Sequence, residues 1–322
     1  MINYELFIQH GDALYYPPIL DGVSIELERK GQPGKLMFEI IQTDTVNFEE
    51  GDPCRFSVDG EPIFYGFIFD KSRQGSSAQK IKITAYDQLY YFKNKDTYVY
   101  TNKTASEVVK MLADDFRLNV GAISDTKYKI ASRTEENTDL FSVVQNALDE
   151  TVKATKEMYV LYVAAGKLML KNVTEMQIGL VIDKDTAGDF DYSTSISSDT
   201  YNRIKLVHED DDSGARKVYI AQDSSNINKW GVLQYYEKLN DPAGAQAMAN
   251  ALLSLHNRKS RKLTVKKVLG DVRVRGGTML VVVLDLGDTA ISNFMLVEQV
   301  KHTFKDNEHL MELRLRGNDF VT

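Results

Sequence analysis

The sequence predicts a mainly β protein with a small α/β insert: two small antiparallel β-barrel domains with an additional α/β domain between their sequences. Three observations lead there. Short strands of alternating polarity, separated by Gly- and Pro-containing turns, fill both ends of the chain. Capped amphipathic helices are concentrated in the middle. The two ends also repeat the same order of strand patterns. The predicted domains are residues 1–98, 99–176 and 177–322, the last with one helix over about 242–258 and with strands that could return to the first barrel.

In the first segment Tyr4, Leu6 and Ile8 alternate before a turn at Gly11-Asp12. Val23, Ile25 and Leu27 alternate again, "KGQPGK" supplies a turn, and "LMFEII" follows as a fuller apolar strand. Cys54, Phe56 and Val58 alternate up to Asp59-Gly60, a dipeptide that tolerates the positive φ angles of a tight hairpin. The return strand is "IFYGFIFD". Successive strand residues point to opposite faces, so Ile63, Tyr65, Phe67 and Phe69 share one face, while Phe64 and Ile68 share the other around Gly66. Both faces are apolar and both need cover. One would fill the barrel; the other would be covered by a neighbouring barrel, domain or subunit, or by the insert within the same chain. Gly66 would let the backbone bend at a barrel corner.

The middle segment opens with Thr104 and Glu107 at the spacing of a capping box, followed by Val108, Met111, Leu112 and Phe116 on one helical side. A second helix is predicted from about Asp139 to Lys156, with Leu140, Val143, Val144, Ala147, Leu148 and Thr151 inward. "MYVLYVAAGKLMLKNV" reads as a hairpin turning at Ala165-Gly166. In the last segment "YNRIKLVHE" and "KVYIAQD" are strands around the loop "DDDSG". Asp241 is the expected cap of a helix with Pro242 in its first turn and Ala251, Leu252 and Leu255 inward. "RGGTMLVVVLDLGD", "NFMLVEQVKHTF" and "HLMELRLRG" then mirror "EGDPCRFSVDG", "IFYGFIFD" and "QKIKITAYD" in the first segment. Related barrels and chance likeness between hairpins both account for the parallel.

Composition narrows the function classes. Of 322 residues, 43% are hydrophobic and 26% charged, too apolar for disorder, and the formal net charge of −7 argues against binding nucleic acid by overall charge. A single cysteine, Cys54, excludes an intrachain disulfide and fits a reducing compartment. The N-terminal stretch lacks the pattern of a signal peptide, and no apolar run reaches the ~20 residues of a membrane helix. No nucleophile elbow, Walker loop or dinucleotide fingerprint occurs, and no two of the five histidines have the spacing of a helical zinc motif. "EDDDSG" lacks the alternation of a calcium loop and reads as a solvated hairpin loop. No catalytic residue, cofactor or metal ligand is therefore expected. Basic residues cluster between Arg258 and Arg275, with Asp271 the only acid. Arg258, Lys259, Arg261, Lys262, Lys266 and Lys267 form the candidate docking patch, for an acidic partner or a polyanion; a solvated helix end and guarded strand edge is the alternative.

Several stretches resemble the XkdQ/YqbQ-like family of phage tail hub proteins, found in contractile tails, prophages and tailocins. They are "RKGQPGKLMFEI", "EGDPCRFSVDG", "ITAYDQLYYFKNKDTYVY", "AAGKLMLKN", "YNRIKLV", "AQDSSNINKWGVLQ" and "FMLVEQVKHTF". Together they span nearly the whole chain, although Trp230 stands where a Tyr is expected before Gly231. The resemblance implies a non-enzymatic baseplate hub: a trimeric ring that joins a six-fold tail tube to a three-fold spike. Its implied partners are further copies of itself, the tube protein, the spike, and neighbouring baseplate or LysM-type tail proteins. It implies no membrane insertion, DNA at most in transit, and a route from the bacterial cytoplasm into the particle. Phe64, Tyr65, Phe67, Phe69, Trp230, Tyr235 and Tyr236 are the candidate inter-domain or subunit contacts. The competing reading is a peptidoglycan- or glycan-directed enzyme or binding module of a tail tip.

Overall fold

The computed structural model describes residues 3–43, 46–73, 80–197, 200–209, 214–239 and 241–317. The acidic loop residues Asp210 to Ser213 lie outside them. The chain forms two compact units, one from residues up to Asp191 together with Thr264–Leu315, the other from Tyr192–Leu263.

The first unit begins with seven strands: β1 (Tyr4–His10), β2 (Ala13–Tyr15), β3 (Ile19–Glu28), β4 (Lys35–Ile41), β5 (Pro53–Val58), β6 (Glu61–Ser72) and β7 (Lys80–Tyr86). Asp59 and Gly60 adopt φ of 50° and 83°, the double positive turn that matches the twist of paired strands, and β5 and β6 pair antiparallel across it. Next come β8 (Lys95–Lys103), α1 (Ala105–Asp115), β9 (Val120–Ile123), β10 (Ile130–Asp139), α2 (Leu140–Thr155), β11 (Tyr159–Ala164) and β12 (Lys167–Asn172). Thr104 and Glu107 form both bonds of the capping box of α1, and the six residues expected inward on α2 are all buried. Of these six, all but Thr151 share one core with Leu89, Phe92, Tyr159, Leu168 and Leu170.

Strands β13 (Gln177–Ile182) and β14 (Asp189–Ser195) lead into the second unit. There β15 (Arg203–Glu209) lies between β16 (Arg216–Gln222) and β17 (Gln234–Leu239), antiparallel to the first and parallel to the second. Helix α3 (Ser224–Trp230) connects β16 to β17, and α4 (Ala245–His256) packs on one face of this sheet. Helix α4 starts three residues later than expected. Pro242 lies in the preceding turn, Asp241 accepts a bond from the Ala243 N–H, and Gly244 in the left-handed region is the N-cap. The shift rotates the inward face to Ala245, Ala249, Leu252 and Leu253, and Leu255 is 54% exposed.

The chain returns to the first unit along β18 (Ser260–Leu269) and ends in β19 (Met279–Asp285), β20 (Ala290–Lys305) and β21 (Glu308–Arg316). In the sheet order β19–β20–β21 is an up-and-down meander, like β5–β6–β7. Strand β20 is the joint between the halves. Its residues Ala290–Leu296 pair with β19, and on the same edge Gln299–Phe304 pair with β3. One sheet thus runs β21–β20–β3–β4–β7–β6–β5–β1–β2, and among the described residues no ring of pairings closes. The two closed barrels expected from the sequence are not found, because strands of the second half join the sheet of the first. The sheet nevertheless curls strongly. The Phe304 ring of β20 meets Phe56 of β5 edge-on at 5.2 Å and Tyr4 of β1 at 6.3 Å, filling one core.

The fork where β3 and β19 part from β20 is closed by a buried ion pair, Arg29 Nε to Glu298 Oε2 at 2.8 Å, each side chain about 6% exposed or less. The Arg29 N–H also donates to the Glu298 carbonyl. Removing one partner of such a pair leaves an uncompensated buried charge. Arg29→Ala should therefore lower unfolding stability by about 3–5 kcal/mol, whereas the paired change Arg29→Met with Glu298→Leu should cost much less. Urea unfolding of the two variants beside the native chain measures the difference, and equal losses would mean that packing rather than charge dominates at the fork.

Candidate assembly surfaces

Strand β6 has cover on both of its apolar faces. Phe64 (4% exposed) and Ile68 lie in the sheet core, and Gly66 is buried beside the Tyr86 carbonyl, which a Cβ on Gly66 would approach to 2.3 Å. Gly66 is thus required by close approach of β7. On the other face Tyr65, Phe67 and Phe69 are half-buried against the chain that follows β7. Phe69 packs on Tyr90 at 4.0 Å and Tyr86 at 5.4 Å, and Phe67 lies 6.4 Å from Tyr91. The turn of the β11–β12 hairpin reaches Tyr65, whose ring would lie 2.6 Å from a Cβ on Gly166. Cover for this face therefore comes from within the chain, including the α/β segment.

Three of the stretches that carry the family resemblance, "RKGQPGKLMFEI", "ITAYDQLYYFKNKDTYVY" and "AAGKLMLKN", meet at this joint. Asp87 accepts the N–H groups of Gly34 and Leu89, both at 3.0 Å, tying the "KGQPGK" turn to the 3-10 turn Gln88–Lys93. Burial pushes the Asp87 carboxyl up to about 7 against those two bonds and the nearby Arg275 charge. Gln88 donates to the carbonyls of Asn119 (2.8 Å) and Gly166 (3.0 Å). Arg275 donates to the Val163 carbonyl at 3.0 Å and lies over the Tyr162 ring, so it is a structural residue of the first unit. In the second unit Asn202 does similar work, donating to Gly231 O (2.7 Å) and accepting from Leu233 N (2.8 Å).

The remaining sequence-predicted residues have separate places. Trp230 ends α3 and is half-buried. Tyr235 faces α4, 5.4 Å from Tyr201, with its hydroxyl donating to Glu237. Tyr236, on the opposite face of the same sheet, is 52% exposed and accepts a bond from Arg216. Among the basic residues, the Arg258 carbonyl accepts from Thr200, Arg261 donates to the Tyr192 hydroxyl, and Lys259 and Lys262 are exposed; these four belong to the second unit. Lys266 pairs with Asp191, and Lys267 is exposed at a positive φ of 52°; both belong to the first unit. Arg273 is held by Asp271. No three His, Cys, Asp or Glu side chains come together as a metal-binding group among the described residues.

Sequence reasoning missed a pair of buried histidines. His302 Nε2 lies 2.9 Å from the Val274 carbonyl, which can only accept, so this nitrogen carries the proton. Its bare Nδ1 accepts from His309 Nε2, also at 2.9 Å. Burial holds His302 down to about 3, with the neighbouring His309 adding to the effect, and burial holds His309 down to about 4. Gly270 makes room for the His309 ring, which a Cβ there would approach to 2.0 Å.

The fold of this chain is shared by solved structures described as tail proteins. The chain is similar over 98% of its length to the 43 kDa tail protein of prophage MuSo2 from Shewanella oneidensis, covering 98% of that chain at 12% identity and a TM-score of 0.71. It is similar in fold to the E. coli c3393 protein, a type VI secretion component described as resembling T4 tail proteins gp27 and gp5. There it covers 99% of this chain and 78% of that one, at 12% identity and a TM-score of 0.58. In sequence it is 31% identical over 326 residues to the phage-like element PBSX protein XkdQ of Bacillus subtilis strain 168, covering 96% of this chain and 95% of the relative. Residues 23–316 match the YQBQ-like family model, and the protein belongs to that family.

Because both histidines are more acidic in the folded chain than their ordinary value of 6.5, the native state binds fewer protons than the unfolded state between about pH 4 and 6.5. Their contribution to stability is complete above pH 6.5 and is lost as the pH falls through their folded values. Imidazole C–H resonances of His302 and His309 should stay at neutral positions down to pH 5 in an NMR titration. A midpoint above 6 for either ring would break the assigned chain of bonds.

Proposed function

We propose that this protein is a baseplate or tail hub component of a contractile phage tail or phage-tail-like particle, with a structural rather than a catalytic role. In this reading three copies form a ring that joins the six-fold tail tube to the three-fold spike. The observation that carries it is the full-length sharing of one fold with a prophage tail protein, together with 31% identity to a phage-like element protein. The two matching meanders support it further. In a ring of three, two like β modules per chain would offer six similar edges to the tube, while the chain itself would offer three to the spike. The segments 1–98, 99–176 and 177–322 are proposed as its first barrel-like module, α/β module and second barrel-like module. The partners proposed with it are the tube protein, the spike, and neighbouring baseplate or LysM-type proteins. The assembly route is from the host cytoplasm into the particle.

Reconstitution tests this. The purified chain, mixed with the tube and spike proteins of its own particle, should give complexes by light scattering that contain three copies of 36.5 kDa, about 110 kDa of this protein, per spike. A chain that binds neither protein, while they retain their own assemblies, would overturn the hub reading. Six copies per spike would overturn the three-fold ring.

A further inference from the structure

The second unit carries a sheet face on which three large apolar side chains stay exposed. Register places Arg203, Lys205 and Val207 of β15 on one face, with Val218 and Ile220 of β16 and Tyr236 of β17 beside them. Helix α4 packs on the opposite face, with Ile204, Leu206 and Ala221. Around the fully buried Val207, the side chains of Val218, Ile220 and Tyr236 are 45%, 40% and 52% exposed. Among the described residues the face is basic: Lys205 at its middle and Arg203, Arg216 and Lys238 around it against one acid, Glu209, which pairs with Lys238 and Arg216. Arg203 Nε is buried with no hydrogen-bond partner among the described residues. Three neighbouring large apolar side chains on a regular sheet, left in water, mark an interaction surface. Exposed apolar side chains interleaved with cations together select a partner whose apolar side chains are interleaved with acids.

The first unit of the same chain has such a surface. Val181 of β13, Val281 of β19 and Phe294 of β20 lie in register on one face, with Val283 beside Ser292. Val181, Val283 and Phe294 are 41–44% exposed. Asp285 shares this face two residues beyond Val283. An adjoining cleft of about 700 Å³ is lined by Phe190 and Val283 and edged by Asp183, Asp185, Asp189 and Asp285, with Lys184 the one cation in its lining. Strand β13 pairs only with β19, so this surface ends at a sheet edge among the described residues.

We infer that the basic sheet face of one copy, centred on Lys205, Ile220 and Tyr236, docks on the acidic apolar surface of a second copy, centred on Val283, Phe294 and Asp285. The contact is heterologous, with two unlike surfaces on every chain, and a heterologous contact whose rotation closes generates a ring. The inference rests on the ring reading above and names the surfaces that would build it. A polyanion fits less well, because it would leave Val218, Ile220 and Tyr236 without apolar cover and the chain supplies a matching acidic surface.

Charge reversal on each surface tests the pairing. Self-association is followed by light scattering over a concentration series at low and high salt; where the chain alone stays monomeric, the copy number is read in the spike-bound complex. Lys205→Glu and Asp285→Lys should each weaken copy–copy association at least about tenfold, and a chain carrying both should regain most of it. Mixing the two single variants should give alternating assemblies that cannot close as a ring of three. Native and charge-reversed contacts form only between unlike variants, and a ring of three forces one contact between like ones. Circular dichroism confirms that each variant is folded. Normal rings from both single variants overturn this inference and leave the hub reading standing. Loss of association with Lys205→Glu alone, unmatched by Asp285→Lys and unrescued in the double variant, assigns the basic face to a different acidic partner and also overturns it. Loss of spike and tube binding by the native chain counts instead against the hub reading.

Discussion

Strand β20 shares one edge between two partners, and the rest of the first unit depends on how that edge is divided. At Val297 the backbone pairs with Gly277 and Thr278; one residue later Glu298 receives Arg29. Two chain segments must therefore pass side by side against a single strand. Gly276 is where they pass: a Cβ there would lie 2.3 Å from the Arg29 nitrogen and 2.4 Å from the Glu28 carbonyl carbon. The ion pair between Arg29 and Glu298 fills the space left beside the crossing, and Arg29 also points toward Met158 at the start of the β11–β12 hairpin. Beyond the fork, β20 delivers Phe304 to the core between Phe56 and Tyr4. The N-terminal strands thus depend for their core on a residue nearly a whole chain away. Contacts of such sequence separation carry a large loop-closure cost and form slowly.

The same economy of shared surfaces explains strand β6. A strand apolar on both sides is stable only where both sides find cover. Here the curled sheet covers Phe64 and Ile68, and the Tyr86–Tyr91 stretch with the β11–β12 hairpin covers Phe67, Phe69 and Tyr65. Burying that joint also traps polar backbone, which must be bonded. Asp87 and Gln88 meet the requirement for four backbone groups of three separate segments, besides the Leu89 N–H in their own turn. A carboxylate is an apt acceptor for two N–H groups at once, and its raised pKa records the cost of using one in a buried place.

Features set by neighbours in sequence are legible in the sequence itself. The Asp59-Gly60 and Ala165-Gly166 turns, the Thr104–Glu107 box and the inward side of α2 all depend on a few consecutive residues. Helix α4 shows the limit of such local signals. Asp241 and Pro242 look like a helix start, but their bonds close a separate turn, and Gly244 in the left-handed region takes over as cap. The Asp306-Asn307 turn, with φ of 53° and 61°, carries no glycine and so gives no hairpin signal. The fork at Glu298 and the curl that replaces two closed barrels join distant segments, and no alternation of polarity encodes which strand adopts which neighbour. The His302–His309 pair lies across the hairpin whose turn gives no signal. The basic stretch from Arg258 to Lys267 follows α4 and runs along β18, with four of its members in one compact unit and two in the other.

Surface chemistry follows a different logic from the core. The chain is acidic overall, with a formal charge of −7, yet among the described residues one face of the β15–β16–β17 sheet has four cations to a single carboxylate. That asymmetry is local, and solubility does not require it, because solubility depends on net charge. The exposed Val218, Ile220 and Tyr236 are unfavourable in water, each forgoing part of the ~25 cal/mol per Å² that burial would return. Charge beside them sets the sign of the surface that can approach, and their apolar area gives that surface something to bury. Val283 and Phe294, with Asp285 beside them, supply the reciprocal arrangement on the same chain. Unlike faces on one chain forbid a two-fold contact in which a face meets its own copy, since cation would meet cation. Head-to-tail succession is the arrangement such surfaces permit, and of its two outcomes, closed ring or open filament, only the ring leaves no apolar face in water.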